Sequence, residues 1–313
     1  MTQEEKYYYS EVFNSIQGEG IFTGQWTLWL RLFMCNLTCG GFGQKFPTKP
    51  ETYELPYKDF DPSNVKSVTD LPVWEYGCDS SYSWSKKYRH LNDRKTPREL
   101  VDLIRETTKT ESNPNGDFLH PKSQMTADMC FTGGEPLMQH AQRCVEQMYE
   151  HFKNDGNLPR SITFETNGTQ PLSGQFETFL TSPGTYNTPT LFSVSPKLWT
   201  VAGEKASKAI KPDVVEQYHR VGNHINNHFS RKPVSGQLKF VLGPEKDQWE
   251  ELDEVLAQFR AKGIDWPVFI MPVGAREEEQ RESAGDVAKM AFERGYNVAG
   301  RMHVYLFGNA IGT

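Results

Sequence analysis

What the sequence lacks narrows its class first. No apolar run in the 313 residues approaches the roughly 18 needed to span a membrane, and the opening Met1-Thr2-Gln3-Glu4-Glu5-Lys6-Tyr7 has no basic region leading into an apolar one. A cytoplasmic protein with no membrane partner is expected. Positive charge is not in excess: 34 Lys and Arg stand against 40 Asp and Glu, a formal net charge of −6, so nothing electrostatic calls for direct nucleic-acid binding. Internal repeats and low-complexity tracts are absent. The five cysteines are too few, and odd in number, for a disulfide framework. With 37% hydrophobic and 24% charged residues and a mean hydropathy of −0.64, the chain reads as globular and long enough to bury a substantial core.

What is present is a strand that runs into thiols. Trp26 to Met34 is apolar except for Arg31, and a charge in such a run needs a partner or a ligand anion. The run ends in Cys35-x3-Cys39, and a third thiol follows at Cys78, opening Cys78-Asp79-Ser80-Ser81-Tyr82-Ser83-Trp84. Cys130 and Cys144 sit in apolar patterns and read as small buried hydrophobes. Thiolates suit iron–sulfur clusters and zinc alike. A structural zinc wants four ligands, and no histidine lies at ligand spacing from Cys35 or Cys39.

The pattern along the chain predicts an α/β fold. Strands are expected at about 26–34, 127–131, 161–165, 191–194, 237–242 and 268–271. Helices are expected from the capping box Thr96-Pro97-Arg98-Glu99 onward and at about 137–152, 175–180, 212–227, 246–262 and 277–294. Such alternation implies a parallel sheet, and about six strands are too few for a closed eight-stranded barrel. A curved, partial (β/α) barrel fits best, with a doubly wound open sheet as the alternative. Tyr7 to Phe13 alternates poorly and is not among the predicted strands. One domain spanning 1–313 is expected, interrupted by loop insertions at about 40–77 and 107–122, where polar, Gly- and Pro-bearing composition carries no sustained period. Several predicted strands end in small or polar clusters, Thr132-Gly-Gly-Glu-Pro136, Glu165-Thr-Asn-Gly168 and Ser193-Val-Ser-Pro-Lys197 among them. In either architecture these lie on the rim where ligands gather.

Taken in order, these motifs resemble a known family. Gln17-Gly-Glu-Gly20, Arg31 entering Cys35-x3-Cys39, Cys78-Asp79-Ser80 with Trp84, the three strand-end motifs and the closing His303 to Thr313 are together similar to the radical S-adenosylmethionine (SAM) enzymes. Within them they are similar to the 7-carboxy-7-deazaguanine synthases, over most of the chain outside the insertions. Two departures stand out. Most members carry C-x3-C-x2-C, whereas position 42 here is Phe and the match resumes only at Cys78; and Gly77 takes the place of the usual aromatic, with Tyr76 one residue back.

The resemblance implies a [4Fe–4S] cluster on Cys35, Cys39 and Cys78, leaving one iron free for SAM. It implies SAM contacts from Gly133, Gly134, Glu135, Ser193, Ser195 and Lys197, and a magnesium ion on Ser80 with Asp79 beside it. The implied substrate is 6-carboxy-5,6,7,8-tetrahydropterin, contacted by Gln17, Glu19, Arg31, Glu165 and His303, with Arg31 and Glu165 as the catalytic pair. Ring contraction with loss of ammonia would give 7-carboxy-7-deazaguanine. An unidentified electron donor and a homodimer are further expectations. Two other readings compete: an activating enzyme that makes a glycyl radical on a protein partner, and a non-catalytic interaction protein on the same fold. The first leaves the Gln17–Gly20 loop and Arg31 without a purpose, and the second does not account for the retained thiols.

Overall fold

The computed structural model describes residues 4–182, 184–308 and 311–312. The opening Met1-Thr2-Gln3, and Asn309, Ala310 and Thr313 of the closing stretch, lie outside the described residues. In chain order the elements are β1 (Tyr7–Ile16), β2 (Trp26–Leu32), α1 (Pro56–Asp59), β3 (Asp93–Lys95), α2 (Pro97–Thr108), β4 (Asp128–Gly133), α3 (Gln139–Asn154), β5 (Ile162–Thr166) and α4 (Gly174–Thr181). There follow β6 (Thr190–Val194), α5 (Trp199–Ala202), α6 (Ala206–Ala209), α7 (Pro212–Asn226), β7 (Gly236–Leu242), α8 (Lys246–Ala261), β8 (Val268–Pro272), α9 (Glu277–Glu293), β9 (Asn297–Val298) and α10 (Met302–Phe307). The strands form one open sheet in the order β3-β1-β2-β4-β5-β6-β7-β8-β9, parallel from β2 to β9.

All six expected strands occur, as β2 and β4 to β8, and the sheet is the mostly parallel, unclosed one foreseen. Three strands escaped prediction. β3 and β9 are only three and two residues long. β1 is ten residues long, and its alternation is broken by a bulge between Tyr9 and Glu11, where its antiparallel pairing with β2 shifts from Tyr9↔Leu32 to Glu11↔Arg31. An extra residue resets the inside–outside period, which is why the segment reads poorly.

Alternation along the parallel strands divides their side chains between two faces. Phe131, Phe164 and Phe192 stand in register on β4, β5 and β6 and stack at ring separations of 5.8 and 5.5 Å. Tyr218 of α7 continues the stack at 4.9 Å. Each such ring contributes about 1.5–3 kcal/mol by burial, so this face anchors the sheet to its helices. The other face carries Arg31, Thr132, Glu165 and Lys239 and lines a cavity.

The first segment expected as an insertion, 40–77, contributes no strand. It folds as α1 and isolated helical turns around its own core of Tyr57, Val68, Leu71 and Trp74, which is completed by Tyr82 and Tyr88. The second begins later than expected. Thr107 and Thr108 still belong to α2, their hydroxyls donating to the Leu103 and Ile104 carbonyls at 2.9 and 2.7 Å, so the loop proper starts at Lys109. Among the described residues no helix is long and apolar enough to cross a membrane.

Candidate active site

A cavity of about 820 Å³ opens at the carboxyl ends of the parallel strands. Cys35, Cys39 and Cys78 all line it, and they share a small apolar cluster with Leu37, Ala202 and Ala209. The loop that carries the first two is held under strain. Met34 has φ 100° and Cys39 φ 49°, conformations that cost a non-glycine residue about 1–3 kcal/mol each and persist only when the surroundings over-determine them. The surroundings do so. The Met34 N–H donates to the Ser83 carbonyl at 2.8 Å, and the Met34 carbonyl accepts from Glu135 N–H at 2.8 Å. Glu204 Oε1 accepts from the Thr38 and Cys39 N–H groups at 2.6 and 2.8 Å. Burial opposes the Glu204 charge, but these donors outweigh it and hold the carboxyl below its ordinary range.

Donors also point at the sulfurs. Leu37 N–H donates to Cys35 Sγ at 3.4 Å, and Trp84 Nε1–H to Cys78 Sγ at 3.4 Å. Asn167 Nδ2–H approaches Cys35 Sγ at 3.9 Å and bonds Asn36 Oδ1 at 3.0 Å, tying the end of β5 to the thiol loop. Burial pushes all three thiols up, Cys35 to about 12. Among the described residues no three His, Cys, Asp or Glu side chains stand as ligands around a single metal ion.

Beside the thiols runs a chain of alternating charges. Asp79 Oδ2 accepts from Arg301 at 3.0 Å, Arg301 donates to Glu19 Oε1 at 3.2 Å, and Lys239 Nζ bridges Glu19 Oε2 and Glu165 Oε2 at 2.7 Å each. Gln17 Nε2–H completes Glu165 by donating to Oε1 at 3.1 Å. Lys239 is 3% exposed, and although burial opposes its charge, Glu165 and Glu19 raise its pKa. The same lysine, with Arg301 and His303, outweighs the burial of Glu19 and drives that carboxyl far down. Arg31 stands apart from this chain, its Nε–H donating to Glu11 Oε1 at 2.6 Å. His303 packs on the backbone of Gly18, where any Cβ would strike its ring. Burial, then the Arg301 charge, depress its pKa to about 4, so the imidazole is neutral at physiological pH.

The cavity therefore brings together Gln17, Glu19, Arg31, Glu165 and His303 with the three cysteines, Ser80, Gly133, Gly134, Ser195 and Lys197. It leaves out two of the expected residues. Glu135 is 1% exposed and its oxygens accept from Leu137 N–H, the Thr166 hydroxyl and Asn167 N–H at 3.0, 2.7 and 2.8 Å. Ser193 is fully buried, its Oγ accepting from Gln237 Nε2–H at 2.8 Å. Both brace the strand ends from behind the wall. Lys197 Nζ donates to Ser195 Oγ at 2.9 Å, in the cavity that the thiols also line.

Comparison with known proteins follows the same lines. The chain is 24% identical to the 7-carboxy-7-deazaguanine synthase of Rhodopirellula baltica over 313 residues, covering 97% of this chain and 88% of the other. It is also 24% identical to that of Halobacterium salinarum over 308 residues, covering 96% and 90%. The chain is a homologue of 7-carboxy-7-deazaguanine synthases. Its fold matches the crystal structure of QueE from Escherichia coli with a TM-score of 0.50, 18% identity and 95% of each chain covered. No family model matches the chain.

Within this synthase-like chain, several site residues went unread in the sequence. Lys239 carried a usable signal, a lone charge inside the apolar run of β7, of the kind that singled out Arg31 in β2. Glu11 was hidden by the bulge. Glu204 and Arg301 carried no signal, because their partners lie 166 and 222 positions away.

Proposed function

We propose that this protein is a radical SAM 7-carboxy-7-deazaguanine synthase, converting 6-carboxy-5,6,7,8-tetrahydropterin to 7-carboxy-7-deazaguanine with loss of ammonia. The observation that carries this is that three thiols and an ordered set of carboxylates and cations share one cavity of about 820 Å³ at the strand ends. That volume lies near the top of the roughly 300–1,000 Å³ typical of small-molecule sites, which suits two organic molecules side by side.

The donor set fits a [4Fe–4S] cluster. Each cysteine of such a cluster binds a different iron, so three thiols need not crowd as they would around one ion, and N–H groups aimed at Cys35 and Cys78 are what thiolate ligands accept. When bound, the reduced cluster supplies the electron that splits SAM into methionine and the radical that takes a hydrogen atom from the substrate. The chain's own residues do the positioning. Gly133 and Gly134 keep the wall free of side chains where the methionine end of SAM would lie, and Ser195 and Lys197 offer polar contacts to its carboxylate and ribose. Glu135 and Ser193 act indirectly, by fixing Asn167 and Gln237. The terminal nitrogens of Arg31 match the substrate carboxylate. Glu165, Glu19 and Gln17 present ordered acceptors and donors to the pterin ring, with neutral His303 beside them. Magnesium would take Ser80 Oγ and keep several waters, Asp79 being already held by Arg301. A cytoplasmic setting, a separate electron donor, a homodimer and a single domain with its two insertions complete the reading.

The test is anaerobic reconstitution with iron and sulfide, followed by SAM, magnesium, a reductant and the carboxypterin. Both 5′-deoxyadenosine and the deazaguanine product are expected by mass spectrometry, and the absence of both sinks the proposal. Replacing Cys78 by Ala should lower bound iron, and a full iron complement in that variant would remove Cys78 from the ligand set.

A further inference from the structure

Among the described residues that line the cavity, three polar side-chain atoms are buried without a hydrogen-bond partner: Glu11 Oε2, Trp29 Nε1 and Ser283 Oγ. Only Glu11 carries charge, and it is 7% exposed. The bulge in β1 sets it directly across from Arg31 of β2, so the two side chains emerge on the same face. Glu11 Oε1 is fully used, accepting from Arg31 Nε–H at 2.6 Å and from the Tyr82 hydroxyl at 2.8 Å. Its other oxygen is enclosed without a partner at the cavity wall, where a Cβ on Gly312 of the closing stretch would stand 3.7 Å from it. A buried carboxylate oxygen is a strong acceptor, and leaving it without a donor is costly unless a ligand brings one.

Arg31 shows the complementary half. Its Nε is committed to Glu11, and among the described residues no acceptor stands within hydrogen-bond distance of its two terminal nitrogens. The pair therefore offers a two-pronged donor next to a single acceptor. A ligand with a carboxylate and an N–H joined through the same carbon would satisfy both. In 6-carboxy-5,6,7,8-tetrahydropterin the carbon bearing the carboxylate is bonded to ring nitrogen 5, which carries a hydrogen in the tetrahydro state. In the 7,8-dihydro form that nitrogen is an imine with only a lone pair to offer.

We propose that Glu11 Oε2 is a substrate-binding group that accepts the N–H beside the carboxylate-bearing carbon and so selects the tetrahydro ring over its imine form. This rests on the substrate assignment above. With the dihydro ligand, carboxylate oxygen and imine lone pair face each other, and one hydrogen bond is exchanged for a repulsion. Discrimination of roughly 10- to 100-fold is expected from the loss of one charge-assisted hydrogen bond.

The experiment is anaerobic titration calorimetry of the cluster-loaded protein with 6-carboxy-5,6,7,8-tetrahydropterin and with 6-carboxy-7,8-dihydropterin. Wild type should bind the tetrahydro ligand about tenfold or more tightly than the other. In Glu11→Gln, whose amide can turn an N–H toward an imine, the ratio should fall toward one or invert. Any displacement of Arg31 weakens both ligands alike, because both carry the carboxylate, so the ratio isolates Oε2. Tyr82→Phe removes a donor from Oε1 only and should keep the wild-type ratio. Equal binding of the two ligands by wild type, or an unchanged ratio in Glu11→Gln, overturns the role of Glu11 while leaving the proposed function standing. Failure of wild type to bind either ligand overturns both.

Discussion

Lys239 shows how one buried charge fixes several others. Two carboxylates on the same cavity wall would repel, and the lysine between Glu19 and Glu165 offsets that repulsion. Lys239→Met keeps most of the packing and removes the cation, leaving Glu165 with only the Gln17 amide and Glu19 with only Arg301 as the donors, among the described residues, within reach of their carboxylates. A loss of about 3–5 kcal/mol is expected in urea unfolding. Glu19 also loses the partner that lowers its pKa, so the acid limb of the pH–activity profile should move to higher pH, whereas a purely structural lysine would lower activity without moving that limb. His303 provides the opposite sign. Its folded pKa, about 4, lies below the ordinary histidine value of 6.5, so between those values the unfolded chain binds a proton that the folded chain refuses. Its contribution is complete above about pH 6.5 and is lost as pH falls through about 4, amounting to at most about 3 kcal/mol. Histidine NMR should find the His303 ring unprotonated at pH 5.5, and a midpoint near 6.5 would contradict this.

At the level of elements, the loop after β2 and the turn after β4 are fitted to each other. A Cβ on Gly134 would collide with the Met34 carbonyl and stand 2.8 Å from Cys35 Cβ, backbone and side chain that carry the first thiol. Gly134→Ala should therefore reduce iron incorporation while the far-ultraviolet circular dichroism stays near wild type, and full iron loading would show that the loop yields. Legibility in the sequence follows the same physics. The six central strands were readable because each is a short apolar run whose bounds are set locally, and α2 because Thr96, Pro97 and Glu99 spell its start. β1 was not, because its meaning depends on a bulge that only pairing with β2 defines. The thiols and the motif residues of the rim were readable as residue types in order. Glu135 and Ser193 sit in readable strand-end motifs, but their surroundings were not readable: three donors close around the first and Gln237 covers the second. Long-range partners such as Arg301 and Glu204 belong to no local pattern.

For the molecule as a whole, the consequence is that the site is shared between two hydrophobic cores. One underlies the parallel sheet, and the smaller one, around Tyr57, Trp74, Tyr82 and Tyr88, belongs to the first insertion and the segment after it. Cys35 and Cys39 are carried by the first body and Cys78 by the second, so the cavity exists only while the second core stays docked. Trp74 is 4% exposed and contacts Phe60 and Tyr88 at ring separations of 5.4 and 6.3 Å, which makes it a keystone of the small core and no part of the large one. Trp74→Ala should cost about 3–5 kcal/mol where that core is concerned. Such a loss falls on a local unit, and units of this kind open independently of the global transition. Hydrogen exchange should therefore rise across residues 50–92 and stay near wild type in β4 to β8. Iron should be retained less well, because one of three thiols is then presented by a loosened body. Uniformly faster exchange throughout the sheet would mean instead that the two cores unfold as one, and that the insertion is integral to the fold rather than added to it.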